Sequence, residues 1–314
     1  MARDLVQSNV PPLLVVANPR AGRGRAAARA AALSTALRAA GIPFGCETTR
    51  GPGHARDLAA GAAGTVVAVG GDGTVHEIVD GLRAREGMLG PLAVLPAGSG
   101  DDFAANAGFA AAPATLAERL RAGTARTIDV GTVEFDGEHG RVVRRFANVA
   151  GLGFDAEVVR QAARSRWLRG RALYLTATLR ALQRQRPVGC RATFAGPAGS
   201  LAWTGPVLFV ATCNGARVGG GLRFAPDAVL DDRQFDVLQV TSASRRATLG
   251  HLLRLLRGRH ADDPRVRLTR AATIELWPEQ PMPLALDGEL VAGAVTWLRL
   301  QVAAERLRLV GTAP

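Results

Sequence analysis

Thr65-Val66-Val67-Ala68-Val69-Gly70-Gly71-Asp72-Gly73-Thr74-Val75-His76-Glu77 is the stretch that decides the fold. The first five residues, apolar or β-branched, read as a buried strand, the glycines as a tight turn, and residues 76–85 as a helix. A strand that runs through a Gly-rich turn into a helix is the repeating unit of a parallel α/β sheet. Glycines there let backbone N–H groups approach a phosphate with no Cβ in the way, and the helix offers its N-terminus to negative charge. Asp72 stands among those donors; a carboxylate beside bound phosphates makes sense when a Mg2+ lies between them. A plainer reading fits the same residues, with Thr74 as N-cap and Glu77 closing a capping box.

Two similar turns flank it. The apolar run 13–17 ends in Asn18-Pro19-Arg20-Ala21-Gly22, followed by a helical pattern over 24–40. The run 92–95 ends in Pro96-Ala97-Gly98-Ser99-Gly100-Asp101-Asp102, from which another helix starts. Ligands of open parallel sheets bind at the carboxyl ends of the strands, where all three turns fall. Gly22-Arg23-Gly24-Arg25-Ala26-Ala27, with Glu47 near the end of a further strand, also meets the dinucleotide pattern GxGxxA loosely. That alternative leaves the later Gly-Asp-Gly turn unexplained. A serine hydrolase elbow is disfavoured, because Ala97 stands where GxSxG needs glycine.

Beyond residue 127 the texture changes to Val- and Thr-rich segments of alternating polarity, at 128–135, 142–149, 207–212, 235–240, 273–276 and 295–302. Without a helix between each pair they predict a mainly antiparallel second domain, interrupted by helical inserts at 156–185 and 246–257.

The chain of 314 residues has length for about two domains and, at 47% hydrophobic content, the apolar residues to fill them. All 39 basic residues are arginine, which removes Schiff-base chemistry and the phosphate-loop lysine. Three widely spaced cysteines give neither a disulfide framework nor a CxxC site, and the histidines show no HExxH spacing. A formal charge of +12 attracts anions of any kind. With 5% aromatic residues a base-stacking platform is not expected, so nucleic acid is not an expected partner. No apolar run reaches the roughly 20 residues of a membrane span, and 1–10 lacks a signal-like core; a cytoplasmic location is expected.

Taken together, Asn18-Pro19-x-x-Gly22, Gly70-Gly71-Asp72-Gly73-Thr74-Val75-His76-Glu77 with Asp80-Gly81-Leu82, Leu95-Pro96-x-Gly98-Ser99-x-Asp101-Asp102-Phe103-Ala104, Gly153-Phe154-Asp155-Ala156 and Leu286-Asp287-Gly288-Glu289 resemble the signatures of the diacylglycerol kinase and sphingosine kinase-like lipid kinases. The resemblance runs from about residue 12 to 310. Its Gly-Gly-Asp-Gly-Thr turn is shared with NAD kinases and related to that of phosphofructokinases. The resemblance implies a Rossmann-like or phosphofructokinase-like ATP-binding domain at 1–127, a mainly antiparallel β-sandwich domain at 128–301, and an active site in the cleft between them. The segment 302–314 is free to pack back on the first domain. Nucleotide contacts carry over to Asn18, Pro19, Arg20, Ala21, Gly22, Thr49, Gly71, Asp72, Gly73, Thr74, Val75, His76 and Ser99. The proton-abstracting acid lies in Asp287-Gly288-Glu289, Glu289 with Asp287 beside it. A structural Mg2+ site maps onto the Asp232 side chain and the carbonyls of Val229 and Gln234. The chain departs from the pattern at Asp101, an added carboxylate, and at Arg233, where the metal loop has glycine.

Phosphoryl transfer needs an aligned hydroxyl, neutralised phosphate charge and a base. Asp72, with Asp102, is the candidate Mg2+ holder; Glu289 or Asp287 is the candidate base; Arg20 and Arg23 are the nearest cations. The expected reaction is Mg2+-dependent transfer from ATP to a diacylglycerol-like or other long-chain lipid alcohol. An NAD kinase and an inactive nucleotide-binding regulator of the same fold stay open as alternatives, and so does a homodimer. Arginines around Trp167 and Leu168, and around the leucines of 249–256, suggest peripheral contact with an anionic membrane at its cytoplasmic face.

Overall fold

A computed structural model describes residues 13–137, 140–163, 176–178, 180–181, 186–241, 250, 254–255, 260 and 263–313. The first half alternates strand and helix: β1 (Leu13–Ala17), α1 (Arg25–Ala39), β2 (Phe44–Thr48), α2 (His54–Gly61), β3 (Val66–Gly70), α3 (Asp72–Gly81), β4 (Met88–Pro96), α4 (Asp102–Asn106) and α5 (Pro113–Ala122). The strands pair in parallel in the order β2-β1-β3-β4. Val66 to Val69 are wholly buried because helices cover both faces of the sheet, which is why these strands read as continuous apolar runs. Leu33 and Leu37 of α1 and Leu116 of α5 pack one face; Ile78 and Val79 of α3 and Phe103 of α4 pack the other.

The second half is β5 (Ala125–Gly137), β6 (Gly140–Phe146), β7 (Val149–Gly153), α6 (Phe154–Ala163), β8 (Val188–Gly196), β9 (Gly199–Val207), β10 (Phe209–Cys213), β11 (Arg217–Val218), β12 (Leu222–Arg223), β13 (Phe235–Val240), β14 (Val266–Ala271), β15 (Thr273–Pro278), β16 (Met282–Leu286), β17 (Glu289–Val295) and β18 (Leu298–Val310). Strands β14-β13-β10-β7-β16-β17 form an antiparallel sheet that packs on β5, β8, β15 and β18 as a sandwich. Phe146 and Phe235 meet across it with ring centroids 5.4 Å apart. Removing either ring would destabilise the sandwich by about 3–5 kcal/mol.

β18 joins the halves. Its first part pairs antiparallel with β15, and its later residues Arg306, Leu307 and Leu309 lie parallel to β4 opposite Met88, Leu89 and Leu92. β5 runs along its whole length, with a register shift between Val302 and Arg306. One sheet of ten strands thus spans both halves.

Some boundaries differ from the sequence reading. Helix α3 begins at Asp72, four residues before the expected start, because the Gly-Asp-Gly-Thr turn is itself its first turn. No capping box forms at Thr74, since Glu77 instead accepts hydrogen bonds from the Gly53 and Ala55 amides at the start of α2 (2.8 and 3.1 Å). The insert expected at 156–185 is described as α6 and a few further residues; the rest of it, and most of 246–257, lies outside the described residues.

Candidate active site

A cleft of about 640 Å3 opens between the carboxyl ends of β1, β3 and β4 and the sandwich. Its polar end is built by the three Gly-rich turns, which hold one another. Asn18 donates from Nδ2 to Thr74 Oγ1 (3.0 Å) and accepts from the Arg20 amide (3.0 Å). Arg25 donates to the carbonyls of Gly22 (3.0 Å) and Gly98 (2.9 Å), tying the first turn to the third. Gly22 is left-handed at φ +55°, and a Cβ there would strike the Ala97 carbonyl, so only glycine fits. The second and third turns touch backbone to backbone, since a Cβ on Gly98 would come within 2.6 Å of Gly71 Cα.

The cleft brings together Asn18, Arg20, Ala21, Gly22, Thr49, Gly71, Asp72, Gly73, Thr74, His76, Ser99, Asp102, Asp287 and Glu289. Pro19 and Val75 do not line it; Val75 is buried in the core beneath α3. Arg23 does not line it either, and Arg50 joins Arg20 as a lining cation. The Asp72 and Gly73 amides at the head of α3 have no partner among the described residues, which suits an anion.

Asp72 and Asp102 turn their carboxylates to one place: a Cβ on Gly100 would lie 3.0 Å from Asp72 Oδ2 and 3.4 Å from Asp102 Oδ2. Asp102 is held by the amides of Gly220 (2.6 Å) and Gly221 (2.7 Å), reaching across from the second half. Asp72 accepts from the Phe103 amide (3.0 Å). Burial, with the charges of Asp102 and Asp101 and against the Phe103 bond, raises the Asp72 carboxyl from 3.8 to about 6. Two crowded carboxylates lacking a counter-charge fit Mg2+, which needs only one or two such ligands besides phosphate oxygens. Among the described residues no three His, Cys, Asp or Glu side chains converge to hold a metal on protein ligands alone. The extra acid, Asp101, closes a turn: it is left-handed at φ +56° and accepts from the Gly98 amide (2.8 Å).

The two acids of Asp287-Gly288-Glu289 part company. Asp287 is buried and accepts from the amides of Asn148 (2.8 Å), Val149 (2.9 Å) and Ala147 (3.0 Å), with His76 Nδ1 at 3.1 Å. Its acceptor capacity is spent on anchoring the turn. Glu289 has no such partners; its carboxylate lies against Gly73, where a Cβ would strike Oε1. Although the residue is exposed at the cleft mouth, desolvation of its carboxyl among the cleft atoms raises its pKa, with His76 opposing and Glu77 adding. Burial pulls His76 down, but the bond and charge of Asp287, with Asp80 and Glu289, outweigh it and leave its pKa raised.

At its other end the cleft is apolar, lined by Phe154, Val158, Phe209, Leu222, Phe224 and Leu255. One acid stands in it. Asp155, in the first turn of α6, is half-buried as a residue, its Oδ1 is shielded from solvent and has no hydrogen-bond partner, and desolvation of the carboxyl, against its backbone bonds, raises it to about 7. Sequence reasoning missed this apolar half, since ordinary core residues build it. It also missed Gly219-Gly220-Gly221, though the glycine run was a legible signal.

In the loop assigned to a structural Mg2+ the carboxylate is already engaged. Asp232 Oδ2 is bonded to the guanidinium of Arg270, and Oδ1 accepts from the Gln234 amide (3.0 Å). Of the three expected ligands, Val229, Asp232 and Gln234, Asp232 therefore offers a resident cation no free carboxylate.

Comparison with known proteins agrees with this geometry. Residues 12–133 match the diacylglycerol kinase catalytic domain family, and residues 148–311 match the YegS C-terminal NAD kinase beta sandwich-like domain family. The chain is similar to a protein of Xanthomonas euvesicatoria pv. vesicatoria (strain 85-10) named "Probable lipid kinase YegS-like", 31% identical over 88% of this chain and 90% of that protein. It is 32% identical to a diacylglycerol kinase of Mycobacterium tuberculosis (strain ATCC 25618 / H37Rv), over 88% of each. The fold matches a crystal structure of a diacylglycerol kinase from Bacillus anthracis str. Sterne with a TM-score of 0.69 at 19% identity, covering 98% of this chain and 99% of that one.

Proposed function

The chain belongs to the diacylglycerol kinase and YegS-like family of lipid kinases, phosphotransferases with an alcohol acceptor, and from that premise we propose that it transfers the γ-phosphoryl group of ATP, with Mg2+, to the hydroxyl of a diacylglycerol-like or other long-chain lipid alcohol. One observation carries the reading: a single cleft has phosphate-binding turns at one end, an apolar pocket at the other, and an unanchored acid, Glu289, against the head of α3.

Asp72 and Asp102 are the residues that would hold Mg2+, which when bound supplies positive charge to the phosphate oxygens. The Asp72 and Gly73 amides and the guanidinium groups of Arg20 and Arg50 bind phosphate oxygens in a chain that has no lysine. Phe154, Phe209 and Phe224 take up acyl chain and exclude water. Glu289 Oε1 accepts the proton of the attacking hydroxyl as the new P–O bond forms and the bond from Pγ to the bridging oxygen breaks, releasing ADP, and its raised pKa strengthens it as a base. Asp287 holds the Gly288–Glu289 turn on the Ala147, Asn148 and Val149 amides, so the base keeps its place.

The test is transfer of labelled γ-phosphate from ATP with Mg2+ to a panel of extracted lipids in mixed micelles, with NAD as a parallel acceptor and Asp72→Asn and Glu289→Gln as controls. Label in one lipid band, lost in both variants, is expected. Label in NAD would move the assignment to an NAD kinase, and tight ATP binding with no transfer would move it to a regulator.

A further inference from the structure

The loop from Val229 to Gln234 is tied down on every side by charge. Leu230 accepts the Asp129 amide (2.7 Å) and packs into the core of the first half. Arg233 is left-handed at φ +63°, in the glycine place of the metal loop, and its reach explains why a long side chain is tolerated there. Its amide donates to Asp129 Oδ2 (2.6 Å), its Nη1 to Asp129 Oδ1 (3.1 Å) and its Nη2 to the Ala303 carbonyl (2.7 Å). Asp129 is wholly buried, and Arg306 Nε lies 3.3 Å from its Oδ1. Ala303 lies in the stretch where β18 shifts register against β5. On the other side Arg270 of β14 holds the Asp232 carboxylate and lies 4.0 Å from Asp236.

A structural divalent cation would do the same work, neutralising a carboxylate and drawing neighbouring carbonyls together. A guanidinium does it with a planar fork of donors that needs no particular metal. A cation at Asp232 would have to expel Arg270 and then face it as a like charge. We propose that Arg233 and Arg270 replace the structural metal ion, and that the Val229–Gln234 loop closes on these guanidinium groups and takes no divalent cation. The proposal concerns the fold and holds whichever alcohol is phosphorylated.

Thermal unfolding of the full chain without nucleotide tests it, in EDTA and with Mg2+ added back. Any Mg2+-dependent rise in Tm is expected to be the same in the native protein and in Asp232→Asn, and to vanish in Asp72→Asn. Arg270→Met and Arg233→Gly are each expected to lower Tm in EDTA by about 2–5 °C, the second although glycine suits φ +63° and keeps the amide bond to Asp129, because the guanidinium's bonds to Asp129 and the Ala303 carbonyl are lost. A saturable Mg2+ rise that Asp232→Asn abolishes would overturn the proposal, and so would Arg233→Gly with an unchanged or higher Tm. Should an arginine variant not fold, Mn2+ binding by electron paramagnetic resonance gives the answer on folded protein. A tight Mn2+ that survives Asp72→Asn and is lost in Asp232→Asn would refute the replacement; loss in Asp72→Asn alone is expected.

Discussion

At the scale of the residue, the acids around the head of α3 do different work although all are carboxylates. Asp72 binds its proton more tightly folded than unfolded, so its ionisation opposes the fold. The stability it contributes is full below the unfolded value of 3.8 and is lost as pH rises through about 6. Without Mg2+, Asp72→Asn is therefore expected to be more stable than the native protein above pH about 6, by on the order of 2 kcal/mol. The gap should shrink as pH falls towards 4, and differential scanning calorimetry across that range measures it. An equal Tm at neutral pH would show the carboxylate already compensated. Glu289 is expected to behave otherwise: Glu289→Gln should lower kcat by about 10²–10⁴-fold. Nucleotide affinity should be nearly unchanged, as equilibrium titration would show. A matched loss of nucleotide binding would make Glu289 a binding group instead.

At the scale of the element, the strands of the first half were legible in the sequence because burial on both faces leaves an unbroken apolar run; β3 and β1 needed no partner to be recognised. The same holds for β13, whose bounds at 235 and 240 agree with the reading. The strands β9, β14 and β17 were not legible: they lie at sheet edges with half or more of their side chains exposed, and only their distant partners make them strands. Helix α2 is eight residues long and escaped notice; what defines its start is Glu77, a residue of another helix. Of the site, the turns could be read because glycine is conspicuous, whereas the apolar pocket is made of residues no different from core. Glu77→Ala should free the start of α2, destabilising the protein by about 1 kcal/mol. Faster hydrogen exchange at the Gly53 and Ala55 amides should accompany it, and the neighbouring Thr49–Pro52 wall of the cleft should bind nucleotide more weakly. Unchanged exchange at those two amides would deny Glu77 the role of cap.

At the scale of the whole molecule, a formal charge of +12 predicts attraction to an anionic membrane, where the proposed lipid acceptor would be met. No helix among the described residues is long and apolar enough to cross a bilayer, and attraction to the surface would be screened by salt over about 10 Å at 0.1 M. The protein is expected to sediment with anionic vesicles at low ionic strength and to be released as salt is raised. Equal binding to neutral vesicles, or binding indifferent to salt, would point to an apolar anchor in place of the arginines. The position of β18 has a consequence for how the chain is born. The open side of β4, an apolar strand, waits for residues near 306–309, which emerge from the ribosome about 10–40 s after β4 does at ordinary rates of synthesis. Through that interval the nascent first half carries an unpaired apolar edge, the kind of surface that recruits chaperones or another growing chain.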